Sequence, residues 1–314
     1  FSDADQFDMT QARRYLWDLS DEIFTGKLDI FKKINSKFKL RFGANYRDRT
    51  KTKQFFFRRI DYENEPFRPV ASLLTGFLDE IDRARGFSEF LVHDFNKAYE
   101  LYGSQIDLEG FEVIDAAFDI NEKIAAGYLQ GNYKTKRFEA NAGLRVINTD
   151  IISRGYQLDD VTQIFQVLEA NSNYIDFLPS INLKWEINNG LFARAGFARV
   201  ITRPRLQDLS PFRLIDEVNE RISANNPDLD PFRASQYDIA FEWYPSPETQ
   251  ISGGFFLKDI ESFISRQTTF IPFNGSTYEL RQPVNGNSAV IRGFEVNFQK
   301  PFTFLPSFWS GFGI

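Results

Sequence analysis

Five residues between positions 203 and 213 have side chains that can bind a small anionic or polyhydroxy ligand. They are Arg203, Arg205, Asp208, Phe212 and Arg213. A guanidinium group can donate two parallel hydrogen bonds to a carboxylate or a phosphate. An aromatic ring can stack on a sugar or on an aromatic chelate. The same arginines can instead form ion pairs that stabilise the fold, and the sequence leaves both alternatives open. We predict these five residues as the ligand-binding candidates.

The sequence offers little for catalysis or for a metal centre. There is no cysteine, which excludes thiolate metal sites and a cysteine nucleophile. The only histidine, His93, has no nucleophile beside it and is interpreted as a solvated loop residue. The acidic pairs Asp159-Asp160 and Asp228-x-Asp230 are weak candidates for Ca²⁺. We therefore predict no enzymatic activity, no cofactor and no metal site.

Composition narrows the class of protein further. The 314 residues include 37 Lys and Arg against 43 Asp and Glu, a formal net charge of −6. A mildly acidic chain does not favour nucleic-acid binding, which needs a basic surface. The longest uncharged stretch, 301–314, has 14 residues and two prolines. It is shorter than the roughly 18 residues of a membrane-spanning helix.

The strongest pattern is an alternation of apolar and polar residues. Over 37–47 every even position is apolar or aromatic, and every odd position is charged, Asn or Gly. The same alternation recurs over 139–146, 181–187, 238–243 and 294–299. A period of two predicts β-strands with one apolar face and one polar face.

Short turns and long loops alternate along the chain. Turn residues occur near 35–36, 134–136, 188–190 and 245–247, and long loops are predicted at 60–112, 151–173, 204–233 and 269–289. Apolar residues at helical spacing predict short amphipathic helices within 60–112 and 151–173. About ten strands result from this division, at 22–34, 37–58, 113–133, 136–150, 174–187, 190–203, 234–244, 249–267, 290–302 and from 308 onward.

Two all-β architectures fit such strands, a soluble sandwich and a transmembrane barrel. Strands of about 11–20 residues exceed the soluble average of about 5–6. Long loops on one rim and short turns on the other are typical of outer-membrane barrels. Aromatic residues cluster near the short turns, as expected at a membrane interface. We therefore predict an antiparallel transmembrane β-barrel segment with long, partly helical extracellular loops.

This architecture predicts which side chains face lipid and which face the lumen. The lipid-facing set is Phe38, Leu40, Phe42, Leu183, Trp185, Phe241, Phe294 and Val296. The lumen-facing set is Lys39, Arg41, Lys184, Glu186, Glu242, Glu295 and Asn297.

Three segments resemble the TonB-dependent outer-membrane receptor family. They are YIDFLPSINLKW at 174–185, LFARAGFARVITRP at 191–204 and NPDLDPFRASQYDIAFEWY at 226–244. The resemblance extends over most of the chain apart from 60–112. It implies a Gram-negative outer-membrane receptor with a plug inside a barrel of about 22 strands. It also implies uptake of a scarce nutrient, energised through TonB.

The resemblance sets the expected organisation and partners. We expect residues 1–314 to be part of a single transmembrane barrel domain and to contain no plug. Ten strands alone would leave unpaired edges in lipid, so they must belong to a larger barrel. The implied partners are TonB through the plug, a small-molecule or oligomeric nutrient and outer-membrane lipid, and a surface lipoprotein is left open as a further partner. Siderophore, vitamin, carbohydrate and peptide all stay open as substrates. The competing functions are a passive porin-like or adhesive barrel and a soluble β-rich enzyme or lectin.

Overall fold

The computed structural model describes residues 11–61, 74–75, 92–93, 111–112, 117–158, 165–303, 305–306, 309 and 311–314. Contacts divide the chain into two units. One unit comprises Phe1–Asp18 and Lys53–Ile114, and the other comprises Leu19–Thr52 and Asp115–Ile314. Within the described residues, no helix has the length and apolar character needed to cross a membrane.

The described residues are almost entirely β-structure. The strands in chain order are β1 Gln11–Lys33, β2 Phe38–Asp61, β3 Leu74–Thr75, β4 Val92–His93, β5 Phe111–Glu112, β6 Phe118–Lys134, β7 Phe138–Leu158, β8 Phe165–Asn188, β9 Leu191–Thr202, β10 Arg213–Asp216, β11 Arg221–Ala224, β12 Phe232–Ser246, β13 Thr249–Ser262, β14 Ile264–Phe273, β15 Ser276–Asn285 and β16 Ala289–Gln299. The main sheet has the order β1-β2-β6-β7-β8-β9-β12-β13-β16, with β5 paired to β2. The strand pairs from β6 to β16 along this order are antiparallel. The prediction of long antiparallel strands is therefore confirmed.

The predicted loop with a helix over 151–173 is wrong in its described part. Strand β7 continues to Leu158 and β8 begins at Phe165, and the two pair residue by residue. Leu168, an apolar residue of the segment predicted to contain a helix, lies opposite Gly155 in this ladder. The ladder of β7 and β8 extends without interruption beyond the predicted strand ends, so cross-strand hydrogen bonding determines the structure. Residues 159–164 lie outside the described part of the chain.

The predicted helices within 60–112 fall mostly outside the described residues. The described residues between 62 and 112 are those of the three short strands β3, β4 and β5. Leu74, which lies within the segment predicted to contain helices, belongs to β3 and is opposite His93 of β4.

The predicted loop 269–289 is instead largely a β-hairpin. Strand β13 ends at Ser262, and β14 and β15 then pair across a turn at Asn274-Gly275. Both turn residues have positive φ, 47° and 81°, as a type I′ hairpin turn requires. The predicted strand over 249–267 is therefore divided between β13 and β14.

The segment 203–231 has a structure of its own. It contains a short 3-10 helix at Leu206–Leu209, followed by β10 and β11. These two strands join the β14–β15 hairpin in a second sheet of order β10-β11-β15-β14, called the loop sheet below. The loop sheet is mainly antiparallel, but β11 and β15 run parallel.

The two ends of the main strands differ as predicted. Asn189 and Gly190 alone connect β8 to β9, whereas the long segment 203–231 leaves the other end of β9. Residues 135–137 likewise form a short turn between β6 and β7. Beyond β16, the Lys300 N–H donates to the Ile314 carbonyl at 2.7 Å, so the described residues 312–314 lie antiparallel to 300–302.

The main sheet has one polar and one apolar face along the predicted register. Glu139 lies opposite Lys184, which lies opposite Arg194, and an ion pair of 2.7 Å joins Arg194 to Glu242 on the same face. The adjacent row, on the other face, aligns Phe138, Trp185, Ala193 and Phe241. Of the eight side chains predicted to face lipid, six are exposed, namely Phe42, Leu183, Trp185, Phe241, Phe294 and Val296. The other two, Phe38 and Leu40, are half-buried, so none lies in a protein core.

An apolar cluster interrupts the polar face at the long-loop end. It contains Phe118 and Ile120 from β6, Ile151 from β7, Leu206 and Leu209 from the 3-10 helix, and Leu229. Ile120 lies two residues before Glu122 on the same face of β6, because alternate strand residues share a face. Burial of each leucine stabilises the segment by about 1.5–3 kcal/mol. The cluster therefore holds the 3-10 helix against the main sheet.

Removing one leucine from this cluster should loosen the segment 203–231. We expect Leu209→Ala in the full-length protein to cost about 2–5 kcal/mol of local stability, because Leu209 is 1% exposed. Hydrogen exchange at 204–231 should become faster, while exchange in β7 and β8 should stay unchanged. Leu214→Ala is the control, since Leu214 is 49% exposed. Equal exchange in both variants would contradict the role of the cluster.

The two faces should also respond oppositely to a new charge. We expect Leu183→Arg to cost about 2–4 kcal/mol if position 183 lies near the bilayer midplane. Asn182→Arg is the neighbouring control on the polar face, where Asp238 lies in the same row. Denaturant unfolding of the full-length protein in vesicles measures both values. A greater loss for Asn182→Arg would reverse the assignment of the faces.

Candidate ligand-binding site

A cavity of about 400 Å³ lies on the polar face near the long-loop end of the main sheet. Its lining consists of three residues of β2, one of β6 and the beginning of the segment after β9: Arg47, Arg49, Lys51, Glu122, Arg203, Pro204, Arg205, Leu206 and Gln207. Five of these side chains are cationic and one is a carboxylate. The cavity, called the cationic cavity below, can therefore attract an anion.

The basic residues of β2 follow from the alternation already present in the sequence. Arg47, Arg49 and Lys51 continue the odd phase that begins at Lys37. Because alternate residues of a strand share a face, all three side chains project to the same side of the sheet. The strand thus contributes three cations at intervals of about 7 Å along its length.

Glu122 organises two of the arginines. Glu122 is 3% exposed, and its carboxylate lies 3.2 Å from Arg47 Nη2 and 3.9 Å from Arg203 Nε. Arg203 Nη2 also donates to Thr149 Oγ1 at 3.2 Å. A buried carboxylate is costly unless it is paired and hydrogen-bonded. The network therefore joins β2, β6 and β7 to the segment 203–231 and fixes Arg203.

The remaining cations of the cavity differ in their partners. Arg49 forms a bidentate ion pair with Asp21, with N···O distances of 2.8 and 2.6 Å. Arg205 and Lys51 form no ion pair with any residue that the structure describes. Arg205 is exposed and Lys51 is half-buried. These two side chains retain the capacity to bind an anion.

The other three predicted site residues do not line the cationic cavity. Asp208 is buried in the 3-10 helix, and its Oδ1 lies 3.4 Å from Arg266 Nη2. The guanidinium of Arg213 lies 4.8 Å from the centre of the Phe273 ring. The carbonyl of Phe212 accepts a hydrogen bond from the Asn225 N–H at 3.0 Å. Of the five predicted residues, the structure brings together only Arg203 and Arg205 at the cavity.

The NPDLDP segment at 226–231 forms hydrogen bonds with the loop sheet. Asn226 Nδ2 donates to the carbonyl of Pro283 at 3.1 Å. The Asp230 N–H donates to Asn285 Oδ1 at 2.9 Å, and Asn285 Nδ2 donates back to the Asp230 carbonyl at 3.0 Å. These contacts connect the segment to β15, and Asn226 therefore has a structural role.

Three charged side chains of the loop sheet pair with one another. The carboxylate of Glu279 lies 2.6 Å from Arg281 and 3.4 Å from Arg221. The hydrogen bond from Arg281, reinforced by both guanidinium charges, holds the pKa of Glu279 below its ordinary value. A lowered pKa means that the pairing stabilises the sheet near neutral pH and is lost as the pH falls through that pKa. Of the other two arginines of the loop sheet, Arg266 pairs with Asp208 and Arg213 stacks on Phe273.

Sequence reasoning missed Arg47, Arg49, Lys51 and Glu122 as site residues. The alternation of β2 indicates that the three cations share the polar face. It does not indicate that the segment after β9 packs on β7 and β6 and so comes close to them. Among the residues that the structure describes, no group of three His, Asp or Glu side chains could hold a metal ion.

The comparisons with known proteins agree with this fold. A family model described as "TonB dependent receptor-like, beta-barrel" matches residues 2–313. No curated protein matches.

Three solved structures have similar backbones at low sequence identity. The ferric-catecholate import receptor Fiu from K12 E. coli, in its closed form, is 13% identical with a TM-score of 0.53, and the match covers 91% of this chain and 36% of Fiu. The copper transporter OprC is 13% identical with a TM-score of 0.52, and the match covers 91% of this chain and 36% of OprC. The ferric citrate transporter FecA in its unliganded form is 8% identical with a TM-score of 0.50, and the match covers 96% of this chain and 35% of FecA.

The chain spans about a third of the length of these three structures. At such low identity the likeness shows the fold alone, and the family is shown by the model that matches nearly every residue. Members of that family are outer-membrane proteins of Gram-negative bacteria. The chain therefore belongs to the TonB-dependent receptor family and forms part of its outer-membrane β-barrel.

Proposed function

We propose that the full-length protein imports an anionic nutrient across the outer membrane, with energy supplied through TonB. The observation that carries this proposal is the cationic cavity, in which Arg205 and Lys51 have no ion-pair partner among the described residues. Membership of a receptor family supports transport in place of catalysis.

The position of the cavity suits a ligand that arrives from outside the cell. In outer-membrane barrels the long loops are extracellular and the short turns periplasmic. The cavity lies beside the beginning of the long segment 203–231, on the polar face of the sheet. Its volume of about 400 Å³ falls within the range of about 300–1,000 Å³ that is usual for small-molecule sites.

The lining residues divide into two roles. Arg47 and Arg203 are positioned by Glu122 and set the shape and positive potential of the cavity. Arg205 and Lys51 are the direct ligand contacts, because an incoming carboxylate or phenolate need not displace another pair. Asp208 and Phe212 act indirectly by holding the loop in place, whereas Arg213 lies away from the cavity against Phe273.

An anionic metal chelate is the nutrient class that fits best. A neutral carbohydrate or a cobalamin-like vitamin would gain little from a cluster of cations. Two of the similar structures are receptors named for ferric catecholate and ferric citrate, and catecholate and citrate ligands carry negative charge. We propose ferric chelates of this kind as the first ligands to test.

The full-length receptor would also contain further strands and a plug. Further strands would close the barrel, because unpaired strand edges are not tolerated in lipid. A plug would occupy the lumen and contact TonB. The competing function is a passive channel, for which the cationic cavity would only select anions.

Removing the two unpaired cations should weaken ligand binding. We expect Arg205→Ala with Lys51→Ala to raise the Kd for ferric citrate or a ferric catecholate by at least about tenfold, equivalent to about 1.4 kcal/mol. Calorimetry on the full-length protein measures this change, and added salt should weaken binding to the wild type. Arg213→Ala is the control, because Arg213 stacks on Phe273 away from the cavity.

Two results would contradict the proposed binding site. One is an unchanged Kd in the variant that carries both Arg205→Ala and Lys51→Ala. The other is a wild-type protein that binds neither chelate.

Energised and passive transport differ in their dependence on TonB. We expect cells that express the full-length protein to lose uptake of ⁵⁵Fe-labelled chelate when TonB is deleted, while binding at the cell surface persists. A passive channel would maintain uptake without TonB, and that result would favour the competing function.

A further inference from the structure

We propose that the polar face of the main sheet carries a second anion site near the short turns, which receives the ligand after it leaves the cationic cavity. The site is a cavity of about 690 Å³, called the inner cavity below. A column of cations along β2 extends from one cavity to the other. This inference rests on the proposed function, because it concerns the same anionic ligand at a later point of its path.

The inner cavity is lined by more cations than carboxylates. Its charged lining residues are Lys37, Lys39, Lys134, Lys184, Arg194, Glu139 and Asp238. Two of the cations are neutralised by ion pairs, since Lys134 lies 2.6 Å from Glu139 and Arg194 lies 2.7 Å from Glu242. The charge that remains available to a ligand therefore comes from the other three cations.

Those three cations are lysines without a carboxylate partner. Lys37, Lys39 and Lys184 form no ion pair with any residue in the described part of the chain. Lys37 and Lys39 are exposed, and the Lys184 ammonium lies 4.6 Å from the centre of the Phe192 ring. Among the described residues Asp238 is the one lining carboxylate without an ion pair, and it lies on β12, at the opposite end of the lining from β2. The inner cavity thus has a net positive charge.

Amide side chains lie between these cations. Asn132, Asn141 and Asn182 form one row across β6, β7 and β8, and all three line the inner cavity. The next position of the row is Gly196 on β9, which leaves space because it has no side chain. An amide Nδ2 can donate two hydrogen bonds, so these residues can bind the oxygens of a carboxylate or phenolate.

The column on β2 joins the inner cavity to the cationic cavity. Of the eight odd positions from 37 to 51, six are cations and none is a carboxylate: Lys37, Lys39, Arg41, Arg47, Arg49 and Lys51. The three arginines each contact one carboxylate, at 3.4, 3.2 and 2.6 Å. The three lysines form no ion pair with any described residue. The unpaired charges therefore lie at the two ends of the column, one end in each cavity.

The column is long enough to cross the membrane. From Lys37 to Lys51 it extends over about 47 Å of strand, or about 33 Å along the axis of a barrel whose strands tilt by about 45°, which exceeds the apolar band of about 25 Å. Its gap at Gly43 and Asn45 is covered from β7, because Arg145 Nη2 donates to Asn45 Oδ1. Positive charge is thus present along the whole path.

Two separate sites suit transport better than one strong site. Binding along a transport path must be favourable enough for entry and weak enough for release, which several sites in series achieve. The alternative occupant of the inner cavity is an acidic surface of the plug. The continuity of the column with the cationic cavity favours the ligand, because a contact for the plug alone would not require unpaired lysines at both ends.

Neutralising the inner cavity should slow uptake and leave binding unchanged. The probes are ⁵⁵Fe-labelled ferric citrate and a ⁵⁵Fe-labelled ferric catecholate, given to cells that express the full-length protein. We expect Lys39→Gln with Lys184→Gln to lower the maximal TonB-dependent uptake per surface receptor at least about fivefold. The Kd measured on cells without TonB should stay within about twofold of the wild type, because the cationic cavity is intact.

Matched variants separate charge from other effects. Lys39→Arg with Lys184→Arg should retain at least half of the uptake. Lys258→Gln is the control and should retain all of it, because Lys258 is an exposed cation of the same polar face, opposite Gln236, that lines neither cavity. If the double Gln variant does not insert, Lys39→Gln alone is measured against the same control.

Two results would overturn the inner cavity as a ligand site. One is unchanged uptake in the Gln variant, which leaves the proposed function intact if Arg205→Ala with Lys51→Ala still raises the Kd. The other is that the Gln variant admits vancomycin in cells without TonB, since vancomycin does not cross an intact outer membrane. Such leakage would show that the lysines hold the plug. A wild type that binds neither chelate would instead contradict the proposed function itself.

Discussion

The structure depends on one constraint, that each strand must pair its whole backbone while its two faces meet different surroundings. A bilayer provides no hydrogen-bond partners, so backbone groups must be satisfied by neighbouring strands. The ladder between β7 and β8 meets this requirement over 21 consecutive residue pairs. With the backbone fixed in this way, each side chain is assigned to a face by its position alone. A shift of one residue would exchange lipid-facing and lumen-facing side chains along the entire strand.

The cationic cavity results from this constraint together with the folding of one loop. The polar face of β2 supplies Arg47, Arg49 and Lys51, but these residues alone form a column and not a cavity. The segment 203–231 closes the space from one side when Leu206 and Leu209 pack on β6 and β7. Glu122 then lies close to cations from two distant parts of the chain. Apolar packing thus positions the charged groups, and the charged groups in turn account for the proposed chemistry.

Much of the fold could be predicted from the sequence, because period-two alternation is a local signal. The alternation at 37–47 and the turn at 188–190 were sufficient to place strands and rims. The prediction failed at 151–173, where residues such as Leu158 and Leu168 satisfy a helical period and a strand face equally well. Only the partner strand distinguishes the two, and partner strands are not visible in a single sequence.

The candidate site could be predicted only in part, for a related reason. Arg203 and Arg205 follow directly on a strand end, so their position could be anticipated. Arg213 is only eight residues beyond Arg205, yet the start of β10 places it in a separate sheet against Phe273. The cations of β2 lie more than 150 residues earlier, and their proximity depends on how the loop folds back across the sheet.

The central claim is that odd positions of β2 face the lumen and even positions face lipid. Since this sequence contains no cysteine, single cysteines at positions 38–51 can be spin-labelled one at a time in the full-length protein in vesicles. Oxygen concentrates in lipid, so we expect the collision of oxygen with the spin label to alternate with a period of two within the bilayer and to be high at even positions such as 40 and 42. High oxygen accessibility at odd positions, or no alternation at all, would contradict the assignment of faces from which the cationic cavity is derived.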